Sequence, residues 1–179
     1  WLSTARSLGV TEPTAVSLAT VSADGTPSAR FVTLRDVTDD GVVFCTSTDS
    51  PKGREMRDVP TVALAAHWAQ AGRQFRIKGV VSLLNAAESD RLFAAVPRAA
   101  QAAVIVARQS QPLESQATLT RLAAEVARGS EDLQRPDDWR AWLVTPGEVQ
   151  FWAASPDHLH HRLAYARTAT GWSVRRLQP

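Results

Sequence analysis

One cysteine, one methionine, one tyrosine and two lysines are all that this 179-residue chain holds of those types. The lone Cys45 excludes an internal disulfide and a cysteine-rich zinc site, so nothing asks for an oxidising compartment and a cytoplasmic location is expected. No apolar run approaches the roughly 20 residues needed to span a bilayer, and the opening Trp1-Leu2-Ser3-Thr4-Ala5-Arg6 has no signal-peptide pattern. No membrane partner is therefore expected. The missing initiator methionine implies that the natural chain starts upstream. Lys52 and Lys78 are the only lysines, so the remaining cations are arginines, whose planar fork suits fixed anion recognition. Twenty basic residues face eighteen acidic ones, for a net charge of +2 and no Lys/Arg block, so nucleic acid is not an expected partner either.

Several catalytic devices are missing as well. There is no Gly-x-Ser-x-Gly elbow, no Gly-x-Gly-x-x-Gly turn and no Walker loop, so any nucleotide must be held by other means. His158, His160 and His161 cluster near the C-terminus, but no His-Glu-x-x-His helix accompanies them and no metal is expected.

Short runs rich in Val, Thr, Leu and Phe cover Ala15–Val21, Ser28–Arg35, Val42–Ser47, Thr61–His67 and Gln74–Ser82. Turn signals at Ala23-Asp24-Gly25, Thr38-Asp39-Asp40-Gly41 and Ala71-Gly72 divide them, as in an antiparallel meander. Ser50-Pro51 before Lys52-Gly53-Arg54-Glu55 reads as an N-cap, a proline at N1 and a short helix. A helical stretch from Ala86 to Val106 is broken by Pro97, and another runs from Leu113 to Arg128 with Leu119, Leu122 and Val126 on one side. Strands return at Trp139–Val144, Glu148–Trp152, Arg162–Arg167 and Trp172–Leu177. The order predicts one α+β domain over residues 1–179, mainly β: an antiparallel barrel closed by its C-terminal strands, with helices packed outside.

The corner at Ser50, Pro51 and Lys52 is a physical candidate for phosphate, since free amides at a helix start and a nearby ammonium favour an anion. Arg30 and Arg35, at the two ends of one strand, could reach the same mouth. Capped surface helices with solvated cations are common, so this motif taken singly is weak. Gln74, Gln109 and Ser110 can satisfy the polar edge of a planar heterocycle and Trp152 can form a wall. If the segment is extended, His158 and His160 share one face; they line a pocket mouth or sit at a strand entrance.

Combined, these residues resemble the pyridoxamine 5′-phosphate oxidase family of FMN-dependent split-barrel enzymes. The resemblance rests on Arg30-Phe31-Val32-Thr33-Leu34-Arg35, Phe44-Cys45-Thr46, Ser50-Pro51-Lys52, Arg73-Gln74, Arg108-Gln109-Ser110, Phe151-Trp152-x5-His158-Leu159-His160-His161-Arg162 and the closing Trp172-x-Val174-x-Arg176-Leu177-x-Pro179. It implies FMN as cofactor, held by Arg30, Phe31, Val32, Thr33, Leu34, Arg35, Cys45, Thr46, Ser50, Lys52, Gln74, Gln109, Ser110, Trp152 and Arg162, with Arg30, Lys52 and the Ser50 neighbourhood on the phosphate. It also implies a homodimer with two FMN sites at the interface.

On the substrate side the family carries a tyrosine, an arginine and a serine that grip a phosphate, where this chain has Leu92, Val96 and Ala100. The family lysine is Arg35 and the family arginine is His158, while the signature histidine persists as His160. The tail resembles that of the flavin oxidases of phenazine biosynthesis. The expected activity is oxidation of a reduced, flat, carboxylated heterocycle with O2 as acceptor, with Arg35, His158 and His160 on the carboxylate, Leu92, Val96 and Ala100 as an apolar wall, and His160 and Arg35 as catalytic residues. The alternatives are pyridoxamine or pyridoxine 5′-phosphate oxidation, a flavin-binding protein without turnover, and a deazaflavin-dependent reductase.

Overall fold

The computed structural model describes residues 1–179. A short helix α1 (Leu2–Ser7) precedes strands β1 (Ala15–Val21), β2 (Pro27–Val37) and β3 (Val42–Ser47). Helix α2 (Pro51–Asp58) leads to β4 (Thr61–Trp68) and β5 (Arg73–Leu83), and α3 (Ala86–Ala94), α4 (Arg98–Val106) and α5 (Gln116–Arg128) follow. Strands β6 (Trp139–Ala153), β7 (His161–Thr168) and β8 (Gly171–Leu177) complete the chain. Helix α1 is absent from the sequence expectation, because six residues carry too little periodicity to be read.

Strands β1 to β6 close an antiparallel barrel: β3 pairs with β2 and β6, β6 with β5, β5 with β4, and β4 with β1. The first strands are not a simple meander, since β1 lies between β2 and β4 and α2 carries the chain from β3 across to β4. Closure rests on β6 alone. Its first half pairs with β3 and β5 through Trp139–Val144, and its second half leaves the ring to pair with β5 and β7 through Glu148–Ala153. The two expected strands are thus one, with a register shift opposite Lys78 and Gly79 where Pro146 cannot donate to the ladder. Strands β7 and β8 extend the sheet outward and close nothing.

Alternation decides which side of β1, β2, β4 and β5 is buried. Val16 and Leu18 of β1, Val62 and Leu64 of β4, and Phe75 and Ile77 of β5 point inward with Phe44, Trp142 and Val144. A second core lies outside the barrel, where Leu92, Phe93 and Val96 pack on Val43, Trp139 and Ala141. Pro97 separates α3 from α4 as its missing N–H requires. Helix α5 buries no residue, and Leu122 stays exposed although Leu119 and Val126 are partly covered.

Candidate functional site

At the start of α2, Ser50 caps the helix: its hydroxyl accepts from Gly53 N (3.2 Å) and donates to Ser47 O (2.8 Å), fully buried. Its bonds are spent on building the corner, so the hydroxyl itself is not free for an anion. Gly53 is required here, because a Cβ would come within 2.4 Å of Ser47 O and 2.5 Å of Thr48 O. The tight approach brings the Lys52 ammonium back over β3, 3.2 Å from Thr46 Oγ1 and 3.3 Å from Ser50 Oγ. Lys52 is only 7% exposed and its hydrogen-bond partners are both hydroxyls. Burial pushes its pKa below the usual 10.5, the Arg30 charge lowers it further and Glu55 opposes the fall. A buried cation facing neutral oxygens is an incomplete site that an anion completes.

Arg30 stands beside it. Its guanidinium pairs with Glu55 at 3.0 Å and donates to Thr20, while Ser28 and Thr20 bond the same carboxylate. Burial raises the Glu55 pKa, but the bonds from Thr20, Arg30 and Ser28 and the Arg30 charge outweigh it and hold the group below its usual 4.5. Neither Thr20 nor Glu55 was expected from sequence, where only their place on elements facing Arg30 could have marked them. Gln109 closes the corner, its Oε1 accepting from Thr46 Oγ1 (2.9 Å) and Ser47 N (3.3 Å). Cys45, Thr46, Gln109, Asp138 and Trp139 line an adjoining cleft of about 260 Å³. Ser110, next in the chain after Gln109, is exposed with φ of 67°. Burial pushes the Cys45 thiol up to about 12 against smaller opposite pulls from Arg35 and Arg91, so it is a neutral wall and not a nucleophile.

Arg35 does not join Arg30. Five positions apart on one strand, they face opposite sides, and Arg35 sits at the irregularity between Leu34 and Asp36, lining a hollow with Leu2, Arg6 and Thr14. Val32 and Leu34 turn their side chains into the main core, leaving Phe31, 77% exposed, and Thr33 on the outer face. Leu92 and Val96, expected as an apolar wall, are 5% and 6% exposed and fill the second core of this chain. Ala100 alone of the three is exposed.

A second group assembles elsewhere. Strand register places His67, Gln74, Trp152, Arg162 and Leu177 in one row across β4 to β8, with side chains on the same face. His67 lies 6.5 Å from the Trp152 ring, His160 4.7 Å from it, and His158 5.9 Å from His160. The segment is not extended: His158 has φ of 61°, and the turn brings His160 against Trp152 with His158 beside His160. His67 was missed because one histidine in an apolar strand carries no motif. Arg162 bonds Gln150 (3.3 Å) and Gln178 O (3.1 Å). A cleft of about 430 Å³ adjoins, lined by His160, His161, Arg162 and Arg176.

The two groups lie at opposite ends of β6, since Thr46 pairs with Arg140 and Gln74 with Trp152. That separation is roughly 40 Å of extended chain. No cluster of His, Cys, Asp and Glu has the geometry to hold a metal ion, and no helix is long and apolar enough to cross a membrane.

The family model described as pyridoxamine 5′-phosphate oxidase matches residues 4–153, and that of the pyridoxine 5′-phosphate oxidase C-terminal dimerisation region matches residues 139–179. The chain is 42% identical over 180 residues to the pyridoxine/pyridoxamine 5′-phosphate oxidase of Thermosynechococcus vestitus, covering 100% of this chain and 85% of that one. It is 40% identical to the namesake from Rubrobacter xylanophilus, with 100% and 83% covered. Among solved structures, PhzG from Burkholderia lata, in complex with tetrahydrophenazine-1-carboxylic acid, superposes with a TM-score of 0.96 at 36% identity over 100% of this chain and 89% of that chain. An FMN-binding protein from Nostoc punctiforme shares the fold, with a TM-score of 0.85 at 17% identity over 99% and 95% of the chains. With both halves of the family matched and relatives this similar along the whole chain, the protein belongs to the pyridoxamine 5′-phosphate oxidase family of flavin oxidoreductases.

Proposed function

We propose that this protein is an FMN-dependent oxidase that aromatises a reduced, flat, carboxylated heterocycle of the phenazine type. The cofactor's fit is supported by the incomplete corner around Lys52: a buried ammonium without a carboxylate, beside Arg30, suits a phosphate. In this reading Arg30, Thr46 and Lys52 hold the phosphate, Gln109 and Ser110 flank it, and the backbone of residues 31–34 runs along the ring with Phe31 and Thr33. Because Gln74, Trp152 and Arg162 lie at the far end of β6, they serve the second site of a homodimer, whose dimerisation region is residues 139–179.

When bound, FMN supplies hydride acceptance at N5 and reoxidation by O2 with release of hydrogen peroxide. The chain's own groups orient and exclude water. Arg35 holds the substrate carboxylate together with His158 of the partner subunit and His160 of the partner subunit, while the neutral Cys45 and Trp152 of the partner subunit bound the flat rings.

One observation carries the choice of substrate. Leu92 and Val96, at positions where the family resemblance places phosphate-gripping polar side chains, are sealed into the second core. A phosphate ester would lose two charge-assisted hydrogen bonds of about 1.5 to 3 kcal/mol each. The names of the relatives favour the competing reading, oxidation of pyridoxine or pyridoxamine 5′-phosphate. Peroxide release by the FMN-loaded protein decides: rapid release with a tetrahydrophenazine carboxylic acid, and little with pyridoxine 5′-phosphate, is expected. The reverse pattern overturns the proposal, and silence with both acids and vitamers favours a flavin-binding protein without turnover.

A further inference from the structure

We infer that His160 acts as a fixed Nε2–H hydrogen-bond donor to the substrate's anionic group, not as a proton acceptor, and that Asp157 is the positioning residue that sets it. The inference rests on the proposed substrate reading for what is bound, but not for the state of the histidine.

The backbone N–H of Ser155 donates to His160 Nδ1 at 3.2 Å. A ring nitrogen that accepts a hydrogen bond carries no proton, so the neutral imidazole places its hydrogen on Nε2. That nitrogen makes no hydrogen bond within the chain, while the ring packs 4.7 Å from Trp152 and borders the cleft shared with Arg162 and Arg176. To act as a base at Nε2, the ring would have to move its proton to Nδ1 and point it at the Ser155 N–H. The cleft therefore offers donors, which suits a carboxylate.

Ser155 is held for this task. Asp157 Oδ1 accepts from Ser155 Oγ (2.6 Å) and from Leu159 N (3.0 Å), and His158 N donates to Ser155 O (3.1 Å). These bonds fold the turn whose cost is visible in the left-handed backbone of His158, φ 61°. The Asp157 carboxyl is held below its usual 3.8 first by the Ser155 hydroxyl and then by the Leu159 amide, in keeping with an ionised staple. It touches neither substrate nor cofactor. Its effect passes through Ser155 to the imidazole.

The test is a ring-nitrogen NMR experiment on the 15N-labelled, FMN-loaded protein, with His160 assigned by His160→Gln. The neutral Nε2–H tautomer is expected for His160. Asp157→Asn, whose amide oxygen can accept the same bonds, should retain it, and Asp157→Ala should yield a mixture of tautomers. In turnover of a tetrahydrophenazine carboxylic acid, His160→Ala should raise KM about tenfold with kcat nearly unchanged, whereas loss of a general base lowers kcat by about 10² or more. A wild-type Nδ1–H tautomer, an unchanged tautomer in Asp157→Ala, or a kcat collapse in His160→Ala overturns the inference. If the protein takes up no FMN or ignores the acid, the proposed function fails instead, and the tautomer is still read in the labelled protein without FMN.

Discussion

On the proposed reading, Lys52 is placed against stability for the sake of binding. Its ammonium is desolvated and surrounded by hydroxyls, so replacing it by an isosteric apolar side chain relieves a buried charge. Lys52→Met should raise the melting temperature of the FMN-free protein by about 2–4 °C, corresponding to about 1 kcal/mol, while abolishing FMN uptake in a fluorescence titration. The sign with pH follows from the lowered pKa: as pH rises toward 10.5 the folded protein sheds the proton before the unfolded chain does, so wild type gains stability and its deficit to Lys52→Met shrinks. FMN affinity should weaken over the same rise. A variant less stable than wild type at pH 7 counts against the site. Glu55 works in the opposite direction. Its lowered pKa contributes stability above 4.5 that is lost as pH falls through the folded value. Glu55→Ala, which leaves Arg30 unpaired, should cost about 2 kcal/mol in urea unfolding at pH 7, and the difference from wild type should narrow below pH 4.5. The sequence names Lys52 through its cap and proline, but Glu55, Thr20 and His67 are recognisable only once strand register sets them beside their partners.

Among the elements, the β7–β8 hairpin has the least reason to exist in an isolated chain. Every residue of β8 except Leu177 is exposed, Trp172 and Val174 among them, and its outer edge is unpaired. The dimerisation-region match over residues 139–179 explains why such a strand is retained. Val174→Glu should shift the dimer toward monomer in sedimentation velocity, with FMN retention falling in parallel. An unaltered dimer would place the interface elsewhere. Helices and strands were largely legible here: Ser50-Pro51 starts α2, Pro97 divides α3 from α4, and β1 and β3 keep the bounds that their apolar runs set. The resemblance placed Leu92 and Val96 on the substrate side, and only the packing of the helices against β3 and β6 shows them buried in the second core.

At the scale of the molecule, the two residue groups at opposite ends of β6 make each proposed FMN site a joint product of two chains. Complementation follows. Lys52→Met damages the phosphate corner and Trp152→Ala the distant wall, so each homodimer is expected to bind FMN poorly. A refolded equimolar mixture should regain about a quarter of the wild-type FMN capacity, since half the dimers are mixed and each has one intact site of two. No recovery in the mixture means that both groups serve the same chain.

The amino-acid order was enough for most of the elements from β1 onward, the helix start at Ser50, the absence of an internal disulfide and the family pattern, because caps, prolines and period-two alternation act between residues close in the chain. Tertiary structure alone decided that β6 closes the barrel while β7 and β8 stay outside, that Arg30 and Arg35 part company, and that Leu92 and Val96 are core. It also brought the Ser155 N–H within hydrogen-bond distance of His160 Nδ1. Each of these depends on which distant surfaces meet, and a meeting of surfaces leaves no local mark on the residues that take part.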